Sequence, residues 1–132
     1  ARIAKDGADA TIVAWGALVQ KSIDAAKKIE DETGKSVEVI DLRTLAPFDM
    51  EAIKKSLSKT NRLLICHEET KTSGFAGEIA ASVNEECFEA LDAPILRVAA
   101  RDVHVAYCPT SEDYILPQVS DVYDQLKKLL SY

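Results

Sequence analysis

Apolar residues reach this chain in two rhythms: short continuous runs, and longer stretches in which they recur every three or four positions. The runs Thr11-Ile12-Val13-Ala14-Trp15, Val37-Glu38-Val39-Ile40, Leu63-Leu64-Ile65-Cys66 and Ile95-Leu96-Arg97-Val98 have the length and β-branched content of strands covered on both faces. Between them lie helical stripes. Leu18, Val19, Ile23, Ala26 and Ile29 share one face, with Gly34 as a left-handed terminator. Asp49 suits the N-cap of a second helix with an inner face of Met50, Ile53 and Leu57, ending near Asn61. Phe75, Ala76, Ile79, Ala80, Val83, Cys87, Phe88 and Leu91 predict a third helix of nearly five turns, broken at Ala93-Pro94. Residues 101 to 116 read as irregular, and Pro117 opens a last helix with the stripe Val119, Val122, Tyr123, Leu126, Leu129 and Leu130. At the front, Arg2 to Lys5 and the tight-turn dipeptide Asp6-Gly7 predict a hairpin into the Thr11 strand.

Alternating strands and helices of this length require parallel βαβ units with right-handed crossovers. The expected fold is α/β: a three-layer, mostly parallel open sheet of about five strands, one antiparallel edge strand, and helices on both faces. Residues 1–132 form one domain, long enough to bury a core. Ligands and partners of such sheets are met at the carboxyl ends of the strands. Four segments fall there: Gly16-Ala17, Asp41 to Thr44, His67 to Ser73 and Ala100 to Val105.

Composition narrows the partners. The chain is 47% hydrophobic and 29% charged, which is the balance of a folded soluble domain. Its net charge of -6 repels phosphate backbones and anionic bilayers, so no nucleic acid and no membrane is expected; a basic protein surface is the partner charge favours. The apolar runs are about five residues long, far short of the roughly 20 that span a bilayer, and no signal-peptide pattern opens the chain. Cys66, Cys87 and Cys108 form no CxxC pair and are expected to be buried thiols in a reducing compartment.

Few residues suggest chemistry. His67 beside Glu68 is the obvious pair, since a carboxylate can orient an imidazole as a general base. Adjacent residues on a strand point to opposite faces, however, so a hydrogen-bonded structural or interface histidine is the better reading. His67, Glu68, Glu69 and His104 share the same sheet edge without HxH, HExxH or CxxC spacing, so no metal site is expected. Thr72-Ser73-Gly74-Phe75-Ala76-Gly77 opens the long helix, and its GxxG spacing suits close backbone packing better than phosphate binding.

Thr11 to Gly16, Val37 to Leu45 with Pro47, and His67-Glu68 followed by Gly74-Phe75 and Glu78-Ile79 resemble the C-terminal domain of the transketolase superfamily. More narrowly they are similar to the beta subunit of the 2-oxo acid dehydrogenase decarboxylase component. His67-Glu68 and Glu85-Glu86-Cys87-Phe88 leading to Asp92-Ala93-Pro94-Ile95 look more like the branched-chain enzyme than the pyruvate enzyme. The loop around His104, Tyr107 and Cys108 is a close match to neither.

The resemblance implies an α2β2 oxidoreductase that uses thiamine diphosphate and Mg²⁺ to decarboxylate a branched-chain 2-oxo acid and acylate a lipoyl group. It also implies that a pyrimidine-binding domain precedes these residues in a longer beta subunit, and the chain does open on Ala1 without Met. No residue here is expected to bind the cofactor, and the domain alone is not expected to be catalytic. Its implied partners are the alpha subunit, a second beta subunit, and the typically basic subunit-binding domain of the dihydrolipoyl acyltransferase core. The implied interface residues are Arg43, His67, Glu68, Thr72, Gly74, Phe75 and Gly77. Location follows source: mitochondrial matrix if eukaryotic, cytoplasm if bacterial. The same domain of a pyruvate dehydrogenase beta subunit, an independent flavodoxin-like binding module, and an enzyme with His67 as base stand as alternatives.

Overall fold

A computed structural model describes residues 1–132. Five strands, Arg2–Lys5 (β1), Ala10–Ala14 (β2), Val37–Asp41 (β3), Leu63–Thr70 (β4) and Leu96–Ala100 (β5), form one sheet in the order β1-β3-β2-β4-β5. β2, β3, β4 and β5 run parallel, and β1 lies antiparallel on the outer edge of β3. The helices are Leu18–Thr33 (α1), Met50–Thr60 (α2), Ala76–Cys87 (α3), Pro109–Ile115 (α4) and Val119–Leu129 (α5), with a 3-10 turn at Phe88–Ala90. None is long and apolar enough to cross a membrane.

The continuous apolar runs are explained by two cores, one on each face of the sheet. Ala10, Ile12 and Ala14 of β2 face α1 and α5 with Leu64, Cys66, Leu126 and Leu129. Val13, Ile40, Leu63 and Ile65 face α2 and α3 with Ile53, Leu57, Ile79 and Val83. Burial pushes the Cys66 thiol up to about 12, so it is an inert part of the first core. Cys87 is only half-buried and Cys108 is exposed, contrary to the expectation of three buried thiols.

One polar cluster lies inside the second face. Thr11 Oγ1 is 2.6 Å from both Ser56 Oγ and Thr60 Oγ1, and Thr60 Oγ1 donates to Ser56 O at 3.1 Å. Next to Thr11 in register, Glu38 is only 2% exposed and pairs with Lys59 of α2. These hydroxyls satisfy one another, which is the condition for burying them without a large cost.

Four local expectations are corrected. Asp6-Gly7 does not make a hairpin: β1 pairs with β3, and the chain passes under the start of β3 to reach β2. A Cβ on Gly7 would lie 2.2 Å from Glu38 N and Val37 C, so the glycine serves that crossing. β4 continues to Thr70 instead of ending at Cys66, because its last three residues are exposed and need no apolar side chain. The third helix stops at Cys87; the 3-10 turn then rotates Phe88 outward, leaving it 64% exposed. Finally, residues 109–115 of the supposedly irregular stretch are helical, with Pro109 at the first position. Pro117 precedes the last helix, whose cap is Gln118, bonded reciprocally with Asp121. Gly34 at φ 73° and Asp49, accepting from Ala52 N at 3.0 Å, cap α1 and α2 as expected.

Candidate functional site

Where β2, β3 and β4 end, the chain makes three turns that bring half-buried aromatic rings over the sheet. Trp15 follows β2 on the same face as Val13, two positions back, and so overlies the end of β4. Its ring stacks on His67, with centroids 5.3 Å apart and planes at 17°. Phe75, at the entry to α3, meets Trp15 edge-on at 6.2 Å and Phe48 edge-on at 5.8 Å. Edge-to-face and offset contacts at these separations are favourable, and they close the top of the second core.

His67 is at the centre of this cap and is 0% exposed. Its ring has Gly74 directly against it: a Cβ there would come within 2.5 Å of His67 Cε1 and 2.3 Å of Thr70 O. Neither ring nitrogen has a hydrogen-bond partner. Burial lowers its affinity for a proton; Glu69 works against that and Arg97 adds to it. At neutral pH the ring is therefore uncharged.

Glu68 is exposed and takes the opposite face, where its Oε2 would be 3.3 Å from a Cβ on Gly16. The two neighbours do not orient each other. The carboxylate on His67's own face is Glu69, two residues on, whose Oε2 is 3.7 Å from His67 Nδ1. Sequence reasoning pairs His67 with its chain neighbour; the signal that points to Glu69 instead is period-two spacing along the strand. Glu69 Oε2 also accepts Phe75 N–H at 2.8 Å, so one oxygen faces both the imidazole and the entry to α3.

The corner between β4 and α3 is held at three further points. Thr72 donates to Asp102 from its backbone N at 2.9 Å and from Oγ1 at 2.6 Å. The Thr72 hydroxyl is the largest influence holding the Asp102 carboxyl below its ordinary range. Arg97 Nη1 donates to Lys71 O at 3.2 Å. Ser73 takes the left-handed φ of 62°, an uncommon conformation for a residue with a Cβ. A cleft lined by Glu69, Ser73, Gly74, Phe75, Gly77 and Glu78 opens at this corner. Gly77 does not have the tight contact of Gly74: the nearest atom to a Cβ there is Arg97 Nη1 at 3.7 Å.

Arg43 lies after β3 with φ 63°, in a turn closed by Thr44 N donating to Leu42 O at 2.7 Å. Its side chain is exposed and donates from Nε to Asp41 Oδ2 at 3.3 Å. His104 follows β5 in an exposed loop, and it is not brought to His67, Glu68 and Glu69 as a ligand set: no three His, Cys, Asp or Glu side chains converge on a common point. Of the residues singled out from sequence, His67, Gly74 and Phe75 form one packed unit with Glu69 and Trp15. Arg43, Glu68 and Thr72 lie on the surrounding surface.

Residues 1–122 match the family model described as the transketolase C-terminal domain. The chain is 40% identical over its full length to the mitochondrial 2-oxoisovalerate dehydrogenase subunit beta of Dictyostelium discoideum, covering 35% of that protein. It is 41% identical over 127 residues, 96% of the chain, to the pyruvate dehydrogenase E1 component subunit beta of Rhizobium meliloti, covering 27% of that protein. Among solved structures it superposes on a split-gene transketolase, described as an inactive beta4 tetramer, with a TM-score of 0.86 and 28% identity. That match covers 98% of the chain and 42% of the other. The chain thus spans well under half the length of the relatives it matches.

Proposed function

The chain belongs to the transketolase C-terminal domain family, and from that premise we propose that it is the assembly domain of a 2-oxo acid dehydrogenase beta subunit. The enzyme we assign it to decarboxylates a branched-chain 2-oxo acid with thiamine diphosphate and passes the acyl group to lipoyl. The observation that carries the assembly role is the sealing of His67. A general base has to reach a substrate proton, and this imidazole is fully buried, with Trp15 stacked on it and Gly74 against its edge.

The residues present do not fit thiamine diphosphate or Mg²⁺. No three His, Cys, Asp or Glu side chains converge on a cation position. The entry to α3, the natural seat for a diphosphate, is taken by the Glu69 carboxylate with Glu78 beside it, and two carboxylates repel an anion. Cofactor chemistry in the proposed enzyme therefore belongs to other parts of the assembly. The surface around the sealed corner is what remains for partners. Exposed Arg43, Glu68 and Thr72 and half-buried Phe75 are the residues we assign to contacts with the alpha subunit and a second beta subunit; Gly74 and His67 shape that surface from beneath.

Branched-chain substrate is favoured by the His67-Glu68 pattern and by the full-length match to the 2-oxoisovalerate enzyme. The pyruvate reading keeps its own support in the comparably high identity to the Rhizobium subunit. The location we propose is the mitochondrial matrix for a eukaryotic source and the cytoplasm for a bacterial one.

Reconstitution with an alpha subunit tests this directly. The intact beta subunit with alpha should show thiamine-diphosphate-dependent decarboxylation, and kcat/KM for 2-oxoisovalerate should exceed that for pyruvate. The isolated 132 residues should show none. Activity of the isolated chain would overturn the assembly role, and a preference for pyruvate would move the assignment to the second reading.

A docking prediction follows from charge. With 22 acidic against 16 basic side chains, the domain should attract a basic subunit-binding domain of the acyltransferase core. Binding to the intact beta subunit should weaken by roughly ten-fold or more as salt rises from about 50 to about 300 mM, since screening shortens the reach of exposed charge. An affinity that stays flat across that range would remove electrostatics from the docking.

A further inference from the structure

The assembly role rests on the sealing of His67 but uses neither of two polar features at the β4–α3 corner. One is a fully buried histidine with both ring nitrogens unpartnered. The other is a single carboxylate oxygen, Glu69 Oε2, set 2.8 Å from Phe75 N and 3.7 Å from His67 Nδ1. We propose that this corner is a proton-operated latch, in which Glu69 holds the entry to α3 while His67 is neutral and leaves Phe75 for the ring once His67 is protonated.

The geometry brings two donors to one carboxylate, with Glu69 Oε2 on Phe75 N and His67 Nδ1 within a short movement of it. A neutral imidazole has a single N–H, and a contact of 3.7 Å is too long for a hydrogen bond, so Phe75 N–H keeps the carboxylate. When the free ring nitrogen takes a proton from water, both nitrogens become donors and the ring carries a positive charge in a buried site. An ion pair with Glu69 is then the nearest compensation available, and with both partners charged it is stronger than the carboxylate's bond to the uncharged Phe75 N–H. Gly74 brings backbone close against Cε1, so the ring has no room to move on that side.

The other charged groups around the ring set the direction of the response. From β4, Glu69 favours the charged ring; from β5, Arg97 opposes it; burial opposes it most. Glu68 points to the other face, and Trp15 and Phe75 are uncharged. His67 is thereby held below its ordinary value. The neutral, latched form is fully present above about pH 6.5, the unfolded value, and is lost as pH falls through the lower folded value.

The chain carries its own reporter, since Trp15 is its one tryptophan and is stacked on the ring that titrates. A cationic imidazole against an indole changes its emission. With the 132-residue chain taken from about pH 7.5 to about pH 5, Trp15 emission should change with a midpoint below about 6.5. Exchange protection of the Phe75 amide should fall over the same range, by roughly ten-fold. In H67Q both transitions should vanish. In E69Q the Phe75 amide should be less protected at the starting pH, because an uncharged amide oxygen is a weaker acceptor than a carboxylate, and the emission midpoint should move lower, because the ring has lost the carboxylate that favoured its charged form. Flat emission and flat Phe75 protection in the parent chain would overturn the latch, as would a transition that persists in H67Q. If H67Q does not fold, E69Q decides alone: an unchanged midpoint with unchanged Phe75 protection would show that Glu69 is not the moving part.

Discussion

Gly74→Ala is expected to destabilise the domain by about 2–3 kcal/mol and to lower its thermal midpoint by about 10 °C. The cause is space, not backbone dihedral. A methyl at this position would lie 2.3 Å from Thr70 O and 2.5 Å from His67 Cε1, so either the strand end or the imidazole has to move. The ring is sandwiched by Trp15 and the strand end is tied through Lys71 N to Ala100 O at 3.2 Å, so neither moves freely. Gly77→Ala provides the contrast on the same segment. Its nearest neighbour would be Arg97 Nη1 at 3.7 Å, an ordinary contact, and at the second position of α3 alanine gains part of the roughly 0.5–1 kcal/mol by which it exceeds glycine in a helix interior. That variant should be neutral or slightly more stable. Urea unfolding of the pair, followed through Trp15, separates the two glycines. A Gly74→Ala protein within about 0.5 kcal/mol of the parent would mean that the corner yields easily, and the sealed setting of His67 would lose its rigidity argument.

The contrast between these glycines shows where sequence reasoning reached its limit. Gly74 and Gly77 look alike as a GxxG pair, and only the path of β4 past Cys66 puts one of them against an imidazole. The layer order of the fold was legible because continuous apolar runs such as Ile12-Val13-Ala14 admit one arrangement, a sheet covered on both faces. Caps were legible for the same kind of reason: Gly34 and Asp49 act on backbone groups within four residues of themselves.

Long-range pairing was not legible. Nothing local in Arg2 to Lys5 tells β3 from β2 as a partner, and Asp6-Gly7 carries the composition of a turn while serving a crossing under β3. Helix α4 was hidden because its exposed surface has no apolar stripe; among its residues only Ile115 is buried. The strand end was hidden because Glu68, Glu69 and Thr70 are exposed, so hydrophobicity stopped where the hydrogen-bonded ladder did not. Glu69 was overlooked with it, and with Glu69 the feature that gives the corner a charge.

A second large effect is expected at the other end of the sheet, where Lys59→Met should destabilise by about 3 kcal/mol. Glu38 is 2% exposed, and Lys59 is the cation paired with it. The Thr11, Ser56 and Thr60 hydroxyls nearby are occupied with one another, so they offer the carboxylate little once the ammonium is gone. Removing one partner of such a pair strands a desolvated charge, whereas replacing both with apolar groups of similar volume is often neutral. Glu38→Leu combined with Lys59→Met should therefore recover most of the loss, to within about 1 kcal/mol of the parent. A single variant costing under about 0.5 kcal/mol would show that water reaches Glu38 along the half-exposed Lys59 side and that the pair contributes little. The same variant also bears on the latch. Lys59 contacts neither His67 nor Glu69, so its loss should lower global stability while leaving the pH midpoint of Trp15 emission where it was. If instead that midpoint moved with every loss of stability, the acid response would belong to unfolding of the whole domain and not to the corner around His67.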